Sequence, residues 1–294
     1  MNRYDEFAKH YIDLEFSGNT MSDYMMDVLT ELEKDIDDYI MNEKSVPTKN
    51  AYNRISAYIN GSTSSYKDKV KEYIDKTINK TVKMEDRWIS GMISVSIAAD
   101  VIIPKIDFIP FNGKITINKF VDNVFDSINT SYDTSIRTAY ILKSQLLSLS
   151  NALKSRNDNI NTRASLSSQG IIPSVAKNTD RYIMARDSSI KIWTWISMLD
   201  ISTCLSCGDL SGTTYTNLSS APPCPLHDKC RCYLFPDKVS QPSYYEWFER
   251  QDDNYKYKIL GKSRYNLYKN GIKIKNFVNN GEKLTLEEIN SKIT

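Results

Sequence analysis

From Met21 to Ile40 the apolar side chains return every third or fourth position (Met21, Met25, Leu29, Leu32, Ile36 and Tyr39), which sets them on one stripe of an amphipathic helix. Ser45-Val-Pro-Thr-Lys-Asn breaks that period and reads as a loop, and Gly61-Ser-Thr-Ser-Ser reads as a second. Helices are predicted near 50–59 and 65–82, the latter with Tyr66, Val70, Tyr73, Ile74, Thr77 and Ile78 on one face. The most apolar stretch, Trp88 to Ile103, has the length of a core helix and stops before Pro104. It contains Ser90, Gly91, Ser94, Ser96 and Asp100 and is too short and too polar to span a bilayer. Prolines and an Asn-Gly pair make 104–115 a turn or short hairpin. Helices follow near 117–129 and 134–155, the second presenting Ile136, Tyr140, Leu146, Leu147, Leu149 and Leu153. The polar run from Ser155 to Gly170 reads as a mobile loop or linker.

Past residue 190 the period shortens. A helix predicted over 174–190 leads into Ile192-Trp-Thr-Trp-Ile-Ser-Met, whose aromatic and β-branched content favours a strand. Thr213 to Thr216 and Tyr233 to Phe235 are further strand candidates. Short helices are predicted from Tyr244 and around Lys262 to Lys269, with Gly271 as a helix stop. Thr285 and Glu288 have capping-box spacing for a last short helix. No internal repeat or heptad seam is present.

Composition changes this picture little, but the placement of charge does. The chain of 294 residues carries 38 Lys and Arg against 36 Asp and Glu. Residues 1–42 hold eleven acidic and three basic side chains, a balance of −8, which leaves +10 for the rest. Residues 135–191 alone contribute +6. A basic body can meet nucleic-acid phosphates, an acidic segment can dock on a basic partner, and either can also be a solvated helix face. The first residues lack the apolar run of a secretory signal, so the thiols are expected to mature in a reducing cytoplasm.

All five cysteines and one of the two histidines lie in one window, Cys204 to Cys232, spaced C-x-x-C, nineteen residues, then H-x-x-C-x-C. Thiolate and imidazole are the donors tetrahedral zinc prefers, and a C-x-x-C turn aims two sulfurs at one ion. Cys204, Cys207, His227 and Cys230 are the expected ligands of a structural Zn2+, and four such ligands leave no open position for catalysis. Cys232 and Cys224 are alternative ligands; Cys232 is expected to point away from the ion on extended backbone. Buried apolar packing, or a disulfide pair, is the plainer use of cysteine, but neither explains the clustering, and an odd count suits a disulfide framework poorly. Asp200 and Arg231 each flank a ligand pair and are expected to form a charge-assisted hydrogen bond across the knot.

Enzyme chemistry finds no footing. Pro223-Cys224 begins a zinc-deaminase pattern, but that chemistry needs a glutamate two residues after the upstream ligand and a cysteine three after Cys224, where His227 stands. Ser206 and Asp209 occupy the positions two beyond Cys204 and Cys207. His10 lies alone near the acidic amino terminus and reads as a surface residue. No phosphate-cradling glycine motif occurs. The adjacent carboxylates Asp37-Asp38, Asp252-Asp253 and Glu287-Glu288 read as solvated surface. Trp193, Trp195 and Trp247 could stack on bases, with core or subunit packing as the plainer use.

Trp195-Ile-Ser-Met-Leu-Asp200, Cys204-Leu-Ser-Cys207, Leu210-Ser-Gly212, Pro222-Pro223 and His227-Asp-Lys-Cys230-Arg231-Cys232 together resemble the phage Mu F-like head morphogenesis family of minor capsid proteins. A second block follows in the family's order: Tyr245-Glu-Trp247-Phe-Glu-Arg250-Gln251, Leu260-Gly261, Arg264, Tyr268, Gly271 and Leu284-Thr-Leu-Glu-Glu-Ile289. The two blocks cover about a hundred residues from Trp193 onward. Cys224, an extra thiol, and the short helical front portion depart from the pattern. The resemblance implies a non-enzymatic structural virion protein of a tailed bacteriophage, at the portal vertex and head interior and in the host cytoplasm during assembly. It implies the portal and major capsid proteins as partners within an oligomeric virion, contact with packaged double-stranded DNA, and no membrane. A stand-alone zinc-containing nucleic-acid-binding protein is the alternative. The expected fold class is α+β, mainly helical with a smaller carboxyl-terminal α+β part built around a zinc-knuckle-like Cys/His knot. The expected segments are 1–44 (acidic, helical), 45–191 (helical) and 192–294 (the Cys/His part resembling the head morphogenesis domain).

Overall fold

The computed structural model describes residues 3–43, 48–93, 115–143, 146–200, 202–227, 229–241 and 243–291. Most of the 88–103 segment, the turn expected over 104–115 and half of the loop expected over 45–50 lie outside them. The chain forms two compact units, one of residues 12–88 and 98–179, the other of residues 1–11, 89–97 and 180–294. The described elements are mainly helical, with a few short strands confined to the carboxyl-terminal third. None of the described helices is long and apolar enough to cross a membrane.

Helices α1 (Arg3–Glu43), α2 (Lys49–Ile93), α3 (Ile117–Leu142), α4 (Leu146–Ser168) and α5 (Ile171–Met184) come first. The predicted stripe of α1 is buried at Met21, Met25, Leu29, Leu32 and Ile36, each contributing roughly 1.5–3 kcal/mol before entropy is charged against it. Tyr39 instead stacks on Tyr58 at 3.8 Å. Hydroxyls tie α2 to its neighbours: Tyr58 and Ser62 donate to Asp35 at 2.8 and 3.0 Å, and Ser56 donates to Asp133 at 2.9 Å.

Four expectations fail in this unit. The loop at Gly61 is helix, because Ile55, Ile59, Thr63, Val70 and Ile74 continue one buried stripe through it. A mid-helix glycine costs only about 1 kcal/mol against that burial. The break expected near 130 is absent, since Ile128, Ser131, Tyr132 and Ile136 keep α3 in phase. Tyr140, expected on the buried face, is 37% exposed. The linker expected over 155–170 is most of α4. Its buried side is made of Asn157, Asn161, Ala164, Ser165 and Ser168, so the helical period is real but carried by small and polar residues that a hydrophobicity reading passes over. Against it, Ser22 Oγ lies 2.7 Å from Ser165 Oγ, and a Cβ at Gly18 would stand 2.2 Å from the Gln169 carbonyl. Glycine is required at that crossing.

In the second unit, strand β1 (Trp193–Ile196), helix α6 (Leu205–Leu210), β2 (Thr214–Tyr215) and β3 (Tyr233–Phe235) precede α7 (Tyr244–Glu249), α8 (Asp253–Lys269), β4 (Val278–Asn279), β5 (Glu282–Lys283) and α9 (Leu286–Ser291). β1 is the middle strand of an antiparallel sheet ordered β2-β1-β3, pairing Thr194 with Thr214 and Trp195 with Leu234. Trp193 and Trp195 are core residues, the latter fully buried. Tyr11 stacks on Tyr233 at 4.3 Å, and Phe7 meets Phe235 edge-on at 4.9 Å. His10 is half-buried, edge-on to Tyr11. The rest of the unit closes over Leu205, Tyr244, Phe248, Tyr255, Leu260, Phe277 and Ile289.

The predicted helix ends are in place. Gly271 N donates to Tyr268 O and Ile272 N to Leu267 O, with Gly271 at φ +94°, which is the Schellman arrangement. Thr285 and Glu288 cap each other reciprocally at 2.7 and 3.2 Å. Asp252, read as solvated surface, is exposed and also caps α8 through Tyr255 N at 2.7 Å.

Candidate metal centre

Two short segments carry the cysteines, and local chemistry aims each inward. After β1, Ser202 N donates to Asp200 Oδ1 at 2.8 Å and Asp200 N to Thr203 Oγ1 at 2.9 Å, turning the chain into α6. Cys204 is the N-cap of α6, its sulfur accepting from Cys207 N at 3.4 Å. Residues three apart share a helix face, so both sulfurs point the same way. Opposite, Cys230 N donates to His227 O at 3.1 Å, with Lys229 left-handed at φ +55°, so His227 and Cys230 close a tight turn ahead of β3.

These segments converge. His227 Nε2 lies 3.1 Å from Cys204 Sγ and 3.0 Å from Cys207 Sγ, and Cys207 Sγ lies 3.8 Å from Cys230 Sγ. Cys204, Cys207 and His227 form one group able to hold a metal ion, and Cys207, Cys230 and Cys232 form another. Cys207 belongs to both. All five cysteines are thiols rather than disulfides.

The expectation that Cys232 faces away is overturned, because extended residues two apart point to the same side. Cys230 and Cys232 therefore face Cys207 together, while Arg231 between them turns outward to Asp200. Ser197 Oγ lies 3.4 Å from Cys232 Sγ and donates to Cys207 O at 2.5 Å. Cys224 lies in neither group of potential ligands; its thiol donates to Cys232 O at 2.9 Å.

The protonation states of the clustered thiols depend on one another. Its hydrogen bond with Cys207, then His227, draws the Cys204 thiol well below the ordinary thiol range against the opposing effect of burial. The neighbouring thiols of Cys204, Cys230 and Cys232 push Cys207 up, and burial pushes Cys232 up. One thiolate thus suppresses the next, a conflict that a bound divalent ion removes.

Around this centre sit partners of unequal legibility. Arg231 donates through both terminal nitrogens to the two carboxylate oxygens of Asp200, the fork-on-fork pairing anticipated from their positions. Burial acts to raise the Asp200 carboxyl, but Arg231, the Ser202 amide and Thr203 together hold it below its ordinary value. Asp209 accepts from the Tyr245 hydroxyl and, at 2.8 Å, from Gly281 N, so one carboxylate joins α6, α7 and the β4–β5 turn.

Arg181 on α5 gave no sequence signal. It donates to the carbonyls of Pro222 (2.7 Å), Leu218 (2.7 Å) and Ala221 (2.9 Å), gathering the loop between the cysteine pairs. Arg181→Ala strands these carbonyls and is expected to cost about 3 kcal/mol. Chemical denaturation of the metal-loaded chain measures this, and a loss under about 0.5 kcal/mol, the scale of an inert surface change, would remove Arg181 from the account.

Protein families, curated proteins and solved structures give no match to this chain.

Proposed function

We propose that this chain is a structural minor head protein of a tailed bacteriophage whose Cys/His centre holds one structural Zn2+ through Cys204, Cys207, His227 and Cys230. The observation that carries the metal reading is that Cys207 is shared by two groups of potential ligands, Cys204–Cys207–His227 and Cys207–Cys230–Cys232, so Cys230 is gathered with Cys207 and Cys232 rather than directly with Cys204 and His227. Two sulfurs bound tetrahedrally at about 2.3 Å stand about 3.8 Å apart, and Cys207 and Cys230 are separated by 3.8 Å. A site completed by three thiolates and an imidazole has no position left for water, so it braces the chain rather than performing chemistry. The ion would fasten α6 to the segment entering β3, with the Asp200–Arg231 pair as a second fastening beside it.

The head-protein reading rests on the order of the Trp, Asp, C-x-x-C, Leu-x-Gly and H-x-x-C-R-C block along the chain, of which the cysteines, His227 and the Asp200–Arg231 pair lie close together. Partners in this reading are the portal and major capsid proteins and packaged DNA, and the place of action is the portal vertex or head interior.

One feature favours the second reading, a stand-alone zinc-containing nucleic-acid-binding protein. On α2, Lys76, Lys80, Lys83 and Arg87 recur at turn spacing and are all exposed. Glu85 in the same stretch is fully buried and Asp86 half-buried, leaving the outer face basic. Among the described residues, Lys76 is the one of these four cations seen in an ion pair, with Glu72 at 2.5 Å.

The readings separate on partner and salt. A minor head protein is expected to be retained by a portal oligomer and to bind duplex DNA weakly. A nucleic-acid-binding protein binds DNA tightly without portal, and its affinity collapses as salt rises. Replacing the four stripe cations by Gln would then flatten the slope of log affinity against log salt by up to about 3.6. Failure in both portal capture and salt-titrated DNA binding would sink both readings.

A further inference from the structure

The polar interior formed by α1, α3 and α4 is not accounted for by packing. Glu33 and Asp37 of α1 stand one turn apart and face Tyr132 of α3 and Asn157 and Asn161 of α4. Tyr132, Asn157 and Asn161 are only 1, 1 and 3% exposed. The Tyr132 hydroxyl donates to Asp37 Oδ1 at 3.4 Å, a long contact, and the Asn161 side chain lies against the Glu33 carboxylate. The Asn157 side chain likewise lies against Tyr132, yet Glu33 Oε1, both polar atoms of Asn157 and Asn161 Oδ1 are buried with no hydrogen bond of acceptable geometry among the described residues. A buried polar atom left unpaired costs about 1–3 kcal/mol, and four converging in one place indicate that something binds among them.

We propose that Glu33, Asp37, Asn157 and Asn161, with the Tyr132 hydroxyl, form a binding site for a hard divalent cation of the Ca2+ type. Every candidate ligand atom is oxygen, from two carboxylates, two carboxamides and a phenol, which is the donor set Ca2+ accepts in irregular geometry. Mg2+ is a poorer fit, because it keeps several waters and demands a regular octahedron. Soft metals belong with the thiols of the other unit, and this site is independent of them and of the head-protein reading. Burial pushes the Glu33 carboxyl up to about 7, with Asp158 and Asp37 adding to it against the opposing Asn161 and Lys154. Burial likewise raises Asp37. Both carboxylates are held where their charge has no adequate counterpart, since Lys154, exposed on α4, acts on them only at a distance. They are half-buried rather than sealed, so an ion can enter, and the acidic stretch of α1 favours its approach.

Terbium tests this directly, because Tb3+ occupies Ca2+ sites and emits when a nearby tyrosine is excited. Zinc-loaded full-length protein is titrated with Tb3+ and then with Ca2+. The expected result is a saturable tyrosine-sensitised signal displaced by Ca2+, with Kd raised at least tenfold in Glu33→Gln and in Asn161→Ala. Glu33→Gln keeps the side-chain shape and removes the poorly compensated charge, so it tests ligation in a folded chain, checked by circular dichroism. No saturable signal, or a Kd unchanged in both variants, would overturn the site. A crystal structure grown in CaCl2 with only water among these oxygens would do the same.

Discussion

Cys207→Ser is expected to strip the metal and to destabilise the carboxyl-terminal unit more than any other single exchange in the cysteine window. Its sulfur is the one shared by both groups of potential ligands, so its loss leaves neither with three. Structural zinc contributes on the order of 10 kcal/mol in small zinc-dependent domains. This unit has an apolar core of its own around Phe248, Tyr244 and Phe277, which retains part of its stability without the ion. The expected loss is therefore about 4 kcal/mol or more, read as a fall in thermal midpoint. Elemental analysis of protein purified without chelator should give about one zinc per chain in the parent and close to none in the variant. Cys230→Ser should also lose metal, whereas Cys224→Ser, whose thiol serves the Cys232 carbonyl, should keep it. Full metal content in Cys207→Ser would refute the shared-ligand assignment. Loss in Cys232→Ser with retention in Cys230→Ser would move the fourth ligand to Cys232.

The second large effect is steric. Gly208 follows Cys207 in α6, and a Cβ there would lie 2.4 Å from ring atoms of Tyr244, itself 2% exposed. Gly208→Val drives two further methyl groups toward that ring, and overpacking of this kind costs about 3 kcal/mol. The ring cannot swing aside, because Trp247, Phe248 and Tyr245 surround it at centroid distances of 5.9–6.0 Å. Pairing the change with Tyr244→Ala should recover at least half of the loss in a double-mutant cycle. Simple additivity of the two changes would show that Tyr244 is not what Gly208 accommodates.

The sequence was most informative where one physical signal dominated. The α1 stripe, the β1 and β3 strands, the Gly271 stop and the Thr285–Glu288 cap all rest on local rules that tertiary packing reinforces. The Cys/His cluster was legible for the same reason, since its spacing points to donors aimed at a common centre, and the structure brings them into two groups able to hold a metal ion. What could not be read was carried by residues whose roles come from distant neighbours. Arg181 is an ordinary helical arginine until the carbonyls of Leu218, Ala221 and Pro222 meet it. Cys232 was misplaced by the parity of an extended strand. The later part of helix α4, beyond the helix predicted to 155, was missed because its buried face is made of Asn157, Asn161, Ser165 and Ser168, which a hydrophobicity reading does not place inside. Asp37, which reads as solvated, likewise faces Tyr132.

That polar face of α4 has a consequence for uniqueness rather than for strength. A wholly apolar helix can slide one turn, about 5.4 Å, and find nearly equivalent contacts. Here such a slip would part Ser22 from Ser165 and bring a larger side chain to the backbone crossing that Gly18 permits. Adhesion comes from the leucine and isoleucine stripes, and the choice of a single register comes from serine, asparagine and one missing methyl group.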